Sequence, residues 1–251
     1  MHRNKREKGS NTIKIEETAR HLIICEGIDD KNFLDSYIKA VFSENFFSTV
    51  QILPLGGVKK IRHDVMKNLI NMEYFGQLQS FSIIQDADNN PSSAMDSVRG
   101  IFADAGLPVP DKPHEWKQCI SSQQPFLNTG FLLFPSCDEH LEEGALERLC
   151  LQILLEPGAE EIIGEINKLM DFLRKNFHRK FDHADKSRIC TYFATHDKYI
   201  DKMRIGLVAQ SKKSQGFDWN HPKLEPLKNF LLELADSPAE NKNNDSSQGE
   251  M

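Results

Sequence analysis

Two short acidic stretches carry the chemistry that this sequence can be expected to do. The first is Glu26-Gly27-Ile28-Asp29-Asp30, directly after the apolar run His21-Leu-Ile-Ile-Cys25; the second is Asp86-Ala87-Asp88, directly after Phe81-Ser-Ile-Ile-Gln85. Side chains at i and i+2 of an extended segment point the same way, so Asp86 and Asp88 are expected to present two carboxylates on one side, roughly 6 to 7 Å apart at Cα. Glu26 is expected at the same edge from another strand, since open parallel sheets bind ligands just beyond the carboxyl ends of their strands. Three anions gathered in one place raise one another's pKa unless a cation neutralises them. Hard oxygen donors that leave open positions select Mg²⁺ or Mn²⁺. The plainer reading is that Asp86 and Asp88 only end a strand and cap a turn or helix, as Asp often does there. The Glu-Gly-x-x-Asp at an earlier strand end weighs against it.

The elements that must position these residues follow from periodicity. His21–Cys25 reads as a strand buried on both faces. A helix should follow, capped by Asp29 or Asp30, because Phe33, Leu34, Tyr37, Ile38, Val41 and Phe42 recur at helical spacing. Val50–Pro54 reads as a second strand, Gly56-Gly57 as a turn, and about Lys59–Tyr74 as a helix. Phe81–Gln85 is the third strand, and Ser93–Ala105 its helix, stopped by Gly106 and Pro108. Leu107–Asn128 holds four prolines and reads as a long excursion with a small hairpin of its own, or as a lid. Phe131–Phe134 is a fourth strand and Gly144–Leu155 a helix. Helices at 159–177, 185–197 and 223–235 and a short strand at Arg204–Val208 fill the remainder.

Three strand–helix alternations imply parallel pairing through right-handed crossovers. The expected fold is thus a three-layer α/β architecture around a mostly parallel sheet, with C-terminal helical additions. The organisation reads as a disordered leader over 1–18, an α/β domain over 19–210 with an insertion at 107–128, a helical extension over 211–236, and a disordered tail over 237–251 rich in Ser, Asn, Glu, Lys and Gln.

A chain of 251 residues accommodates one large domain, or one with a small appendage. It has no apolar run near the roughly 18 residues of a membrane span, and its basic start has no apolar segment behind it to make a secretory signal. No membrane association and a cytoplasmic location are the expectations. The five cysteines show neither paired zinc spacing nor the density of a disulfide scaffold, and read as free, partly buried thiols. Net charge is −6, yet twelve Lys or Arg against five Asp from Lys168 to Lys213 give that stretch +7 on an otherwise acidic body. It is either a solvated helical surface or a phosphate-contacting face.

With the elements in place, Glu26-Gly27 after the first strand, Asp29 or Asp30 opening the next helix, and Asp86-x-Asp88 after a later strand resemble the two signature motifs of the Toprim domain. That domain is shared by topoisomerases, DnaG-type primases, recombination-repair proteins and the overcoming-lysogenisation-defect (OLD) nucleases. Over about residues 20–200 the chain looks closest to stand-alone, uncharacterised bacterial Toprim-like proteins. Leu55-Gly56-Gly57 with Lys59 or Lys60, Gly144-Ala-Leu-Glu147 and Asp185-Lys186 add to the likeness. The resemblance implies a Toprim/Rossmann-like fold and a late Glu and Lys that complete the site. Glu147 and Lys186 match these, with Glu143 as a competing Glu. Unlike the longer members of that family, this chain is expected to bring no ATPase domain.

What the resemblance implies is metal-dependent phosphodiester chemistry on nucleic acid, probing toward a nuclease. Glu26, Asp30, Asp86, Asp88 and Glu147 are the candidate ligands of Mg²⁺ or Mn²⁺. Glu26, Asp86, Asp88 and Lys186 are the candidate catalytic groups, with Lys59 an alternative cation and Glu26 an alternative general acid or base. Tyr37, Tyr74, Tyr192 and Tyr199 lie in helical patterns, so no tyrosine nucleophile for strand passage is expected. A catalytically silent module that binds nucleic acid or a partner protein is the alternative. A nucleotide-sugar transferase using Asp86-x-Asp88 for its metal is the third reading, which leaves Glu26 and Glu147 without work. Gly56-Gly57 lacks the P-loop spacing. The histidines at 63, 114, 140, 178, 183, 196 and 221 show no ligand spacing. Trp116 and Trp219 are expected to pack at edges rather than stack on bases, and Lys212-Lys213 are a candidate backbone contact.

Overall fold

β-branched and aromatic runs bounded by breakers or acids form the sheet, and amphipathic stretches between them form its covers. In a computed structural model of the chain, residues 13–118, 127–138, 140–211 and 216–235 are described. The strands are β1 (His21–Cys25), β2 (Val50–Pro54), β3 (Ser80–Asp86), β4 (Trp116–Gln118) and β5 (Asn128–Phe134). The helices are α1 (Ile28–Val41), α2 (Glu44–Phe47), α3 (Val58–Lys67), α4 (Pro91–Asp104), α5 (Leu146–Gln152), α6 (Ala159–Phe177), α7 (Ala184–Ala194), α8 (Ile205–Ala209) and α9 (Glu225–Ala235).

The strand order is β2-β1-β3-β5-β4, parallel except for β4, which runs antiparallel to β5. From β1 the chain crosses to β2 on one side and later returns to β3 on the other. The order therefore reverses between β1 and β3, the topological switch point where the crossovers diverge and leave a crevice beyond the strand ends. Glu26 follows β1 directly and Asp86 ends β3, so the switch point falls between the two acidic stretches.

Each central strand feeds two cores by alternation. Ile23 and Cys25 of β1 join a larger core with Phe33, Leu34 and Tyr37 of α1, Leu146 and Leu149 of α5, Ile166 of α6 and Phe193 of α7. Leu22 and Ile24 face the other way, with Ile61 of α3 and Val98, Ile101 and Phe102 of α4. Helices thus cover both faces of one sheet, a three-layer α/β fold. The helical additions α6 to α9 all thicken the α1 side.

Several local expectations are corrected. Arg204–Val208 is not a strand: Ile205–Ala209 is a short helix docked on α1. The helix expected over about Lys59–Tyr74 stops at Lys67, and two 3-10 turns around a left-handed Tyr74 (φ 73°) replace its continuation. Of the leader expected over 1–18, residues 13–18 belong to the fold. Ile15 is buried, the Glu16 amide donates to Gln51 Oε1 (3.0 Å), and Gln51 Nε2 donates to the Lys14 carbonyl (2.8 Å). Residues 1–12, and the tail expected over 237–251, lie outside the described residues. The excursion at 107–128 forms no separate hairpin among its described residues; β4 joins the main sheet at its edge. Trp116 packs there, stacked on Phe230 at 4.4 Å and donating to its carbonyl, while Trp219 packs on Phe33 and Tyr37. Lys212-Lys213 lie outside the described residues.

Candidate functional site

Glu26 is held where the chain turns from β1 into α1. The Gly56 amide donates to its carbonyl at 2.6 Å and the Leu55 amide to that of Cys25 at 3.0 Å, so the end of β2 clamps the turn. Gly56 (φ 85°) and Gly57 (φ 97°) adopt left-handed conformations in succession, which side-chain-bearing residues rarely do. Gly56 supplies an amide of the clamp, and Gly57 is the cap position of α3. Neither Asp29 nor Asp30 occupies the cap position of α1, which is Gly27. Asp30 sits one turn in and reaches back to accept from the Gly27 amide at 2.6 Å. Asp29 is taken by Arg204 Nε and Nη2 (3.2 and 3.0 Å) and by the Gly206 amide (3.2 Å).

Asp86 and Asp88 do not share one side of an extended segment as expected. β3 ends at Asp86, and Asp88 has a left-handed backbone (φ 52°). Its amide and carbonyl pair with those of Gly144 (2.8 and 2.7 Å). Asp86 Oδ1 accepts from the Leu146 amide at 2.9 Å, so it does cap a helix, α5, but one that starts sixty residues later. That link brings Glu147, in the first turn of α5, beside Asp86. Lys186 Nζ stands 3.8 Å from Glu147 Oε1, with its side chain 65% exposed.

The electrostatics are those of a site short of positive charge. Burial pushes the Glu26 carboxyl up to about 7, reinforced by Asp88 and Asp30, while a hydrogen bond from the Asp86 backbone pulls it down. Burial also raises Asp30, to about 6, with Glu147 and Asp29 adding to the rise and the Gly27 amide opposing it. Asp86 is raised well above the usual carboxylate range by burial and then by Asp30 and Glu26. One oxygen of Glu26, Oε1, is buried without any hydrogen-bond partner.

Two cavities meet along a ridge of Asp86, Glu147 and Lys186. One, of about 470 Å³, is lined also by Glu26, Asp30, Gly56 and Gly57. The other, of about 360 Å³, is lined also by Asp88, Glu143, His183, Arg148 and Asp185. Glu26, Asp30, Asp86, Glu147 and Lys186 are thereby brought to one cavity, and Asp88 falls on the far side of the ridge. Glu147 borders both cavities, whereas Glu143 is exposed at the rim of one, so Glu147 fits the late Glu better. Lys59 and Lys60 line neither cavity, and neither do the four tyrosines nor the described part of the excursion at 107–128. Among the described residues no three His, Cys, Asp or Glu side chains already stand in a metal-holding arrangement. Carboxylates without a counter-cation lower their repulsion by standing apart and taking up protons. The carboxylates of this cavity are nonetheless an all-oxygen donor set of the kind that suits Mg²⁺ or Mn²⁺, and Glu26 Oε1 has no hydrogen-bond partner.

Sequence reasoning missed the cations that shape the surroundings. Arg148 Nε donates to Asp185 at 2.9 Å, Arg188 Nη1 to the other oxygen of Asp185 at 2.6 Å, and Arg188 Nε to Asn167 at 2.7 Å. This network ties α5, α6 and α7 together. Gly144, with φ 132°, is hemmed by Arg148, whose Nε would lie 3.0 Å from an added Cβ. The only sequence signal was Asp185-Lys186 at the head of a basic helix, and it pointed to Lys186 rather than to the arginines. The histidines take structural parts where a partner is seen: His196 joins Tyr192 on Glu156. Cys25, Cys137 and Cys150 are buried free thiols and Cys190 a half-buried one.

The family model described as a protein of unknown function (DUF3226) matches residues 20–236. The chain belongs to the DUF3226 family. The match runs from just before β1 to just past α9, so the helical additions and their Arg148–Asp185–Arg188 network fall within the family's unit, together with both cavities. No curated protein matches the chain. No solved structure matches it. No helix among the described residues is long and apolar enough to cross a membrane.

Proposed function

We propose that the chain carries out metal-dependent phosphodiester hydrolysis on nucleic acid, as a Toprim-like nuclease. The observation that carries this reading is the buried, partnerless Oε1 of Glu26 in a cavity shared with Asp30, Asp86 and Glu147, at the switch point of a parallel sheet. Buried polar atoms are nearly always satisfied, so an orphan among carboxylates calls for a cation.

Glu26, Asp30, Asp86 and Glu147 would hold Mg²⁺ or Mn²⁺, with Asp88 on the flank toward the second cavity. When bound, the cation supplies charge stabilisation to the attacking and leaving oxygens of the scissile phosphate. Lys186, exposed at the ridge and only loosely paired to Glu147, adds positive charge to the phosphate oxygens. Alternatively, where Asp30, Asp86 and Glu147 alone hold the cation, Glu26, pushed up to about 7 by burial, is the general base. It takes a proton from the attacking water as the new P–O bond forms, and the departing sugar oxygen takes a proton from solvent water as its bond to phosphorus breaks. With no tyrosine at either cavity, water is the nucleophile this reading uses.

The test is incubation of the pure protein with plasmid, single-stranded DNA and RNA in Mg²⁺ or Mn²⁺. Cleavage should appear, and Glu26→Gln and Asp86→Asn should each reduce it by about 10²- to 10³-fold, the usual cost of losing an electrostatic contact to a transition state. Retention of nucleic acid without cleavage under every cation would instead favour the silent binding module. A transferase would need Asp86 and Asp88 but not Glu26. Binding of a nucleoside diphosphate sugar that survives Glu26→Gln would favour that third reading.

A further inference from the structure

The C-terminal end of α6 exposes large apolar rings where a surface helix normally presents polar residues. Phe172 and Phe177 are 54% and 60% exposed, and they touch each other with ring centroids 5.8 Å apart. Both are set among cations: Arg174, Lys175, Arg179 and Lys180 are all exposed. Asp171 pairs with Arg174 at 2.7 Å, and Arg174 also lies 5.2 Å over the ring of Phe181. From Phe172 to His183 there are four Lys or Arg against one acid, Asp182. The chain leaves α6 through a left-handed His178 (φ 52°) and within six residues reaches Asp182 and His183, which line the cavity that holds Asp88 and Lys186. Six residues span at most about 20 Å, so Phe177 lies within that reach of the cavity, with Phe172 against it.

We infer that Phe172 and Phe177, with Arg174, Lys175, Arg179 and Lys180, form a stacking platform for single-stranded polynucleotide that leads into the Asp88 side of the proposed site. This rests on the nuclease reading for its destination but not for its binding. Exposed aromatic rings interleaved with cations are the combination that holds single strands: cations track phosphates, and rings stack on bases whatever their identity. Duplex bases are already stacked and paired, so their faces are closed to such rings. A second copy docked ring to ring at this end would set the same cations against one another, which disfavours self-association through the platform. The aliphatic residues Ile162 and Leu169, further back on the same helix and 36% and 50% exposed, are the part of α6 that a protein partner would favour instead.

The experiment measures binding of a labelled thymidine oligonucleotide of about 12 nucleotides to the full chain in EDTA, so that no turnover intervenes, over a salt series. A blunt duplex of matching length is the comparison. The single strand should bind more tightly than the duplex. Phe172→Ala with Phe177→Ala should weaken single-strand binding by about tenfold or more while leaving the salt dependence alone. Arg179→Ala with Lys180→Ala should lower the salt slope by roughly 1.4, about 0.7 per phosphate contact. All four positions are exposed, and circular dichroism checks that the variants fold. The inference is overturned if the oligonucleotide does not bind, if the duplex binds equally well, or if the Phe pair can be removed without loss. It is also overturned if sedimentation shows a dimer that the Phe variants dissociate, which would make the rings a contact between copies. Binding without cleavage would sink the nuclease reading alone, and cleavage that ignores the Phe variants would sink the platform alone.

Discussion

The two cavities that meet at Asp86, Glu147 and Lys186 hold carboxylates in opposite conditions. On the α7 side Asp185 is clasped by two arginines, at 2.9 and 2.6 Å, from two different helices. On the β1 side Glu26, Asp30 and Asp86 receive only backbone amides, and Glu26 Oε1 receives nothing. One fold, within a few residues, both neutralises an acid and declines to. A carboxylate that holds helices together is matched with fixed cations of its own chain. Carboxylates left short of charge carry a cost that only something from outside can remove. The difference in charge partners separates the two sets of acids more sharply than burial does, since both are partly buried.

The largest effect that would test this contrast is on the paired side. Asp185→Ala leaves Arg148 and Arg188 facing each other without their acceptor and unties α5 from α7. It should cost about 2 kcal/mol of folding stability, the range for hydrogen bonds to a charged group that is not fully buried. Urea denaturation of the metal-free chain reads it directly. A loss below about 0.5 kcal/mol would mean that the arginines simply find water, and that the network is surface decoration.

On the unpaired side the sign should reverse. The Glu26 carboxyl, raised from 4.5 to about 7, favours the folded chain only while it is protonated. Its contribution is complete below about pH 4.5 and is lost as pH rises through about 7. Asp30, raised from 3.8 to about 6, acts in the same sense over a lower window, and Asp86, raised well above its ordinary value by burial, also acts in the same sense. His21, lowered from 6.5 to about 4 by burial, acts oppositely, its stabilising neutrality being lost as pH falls. Comparing Glu26→Gln with the parent chain in chelator cancels these other groups to a first approximation. The variant should match the parent near pH 4.5 and exceed it by roughly 1 to 2 kcal/mol above about pH 7.5, after allowance for screening at a partly exposed group. Mn²⁺ should then stabilise the parent and not the variant. Thermal unfolding at pH 5 and pH 8 with and without Mn²⁺ decides it. A variant less stable than its parent at pH 8 would contradict the idea that Glu26 is held at a cost.

Much of this frame is legible in the sequence, and the reasons it stops are local. β1, β2 and β3 are readable because each β-branched run ends at an acid, a proline or a glycine, and α6 is matched from 159 to 177 because Gly158 starts it and a polar stretch ends it. Arg204–Val208 fails because the short apolar run from Ile205 to Val208 does not distinguish a strand from a helical turn; contact with α1 makes the choice. The helix expected from Gly144 begins at Leu146 because Gly144 is committed to Asp88. At the site, Glu26 and Asp86 are legible from their places at strand ends, whereas Glu147 is pointed to only by the resemblance that Gly144-Ala-Leu-Glu147 carries. The extended geometry expected of Asp86 and Asp88 is not found, since β3 ends between them. Least legible are the charge partners: Arg148 meets Asp185 across 37 residues and Arg204 meets Asp29 across 175. Nothing in a local window signals such pairs, so a sequence shows which acids gather but not which of them are neutralised.

Lys186 is where the contrast can be sharpened most finely, because it lies on the ridge common to both cavities. Its ammonium is 3.8 Å from Glu147 and mostly exposed, so as an ion pair it contributes little. Lys186→Met keeps the length of the stem and removes the charge; it should change stability by less than about 0.5 kcal/mol. If the lysine acts on phosphate instead, the same substitution should weaken cleavage far more than it weakens folding, and Lys186→Arg should restore part of it. Equal, small effects on both measurements would place Lys186 with Asp185 among the structural charges, and the boundary between the two kinds of acid would then run through Glu147 rather than beyond it.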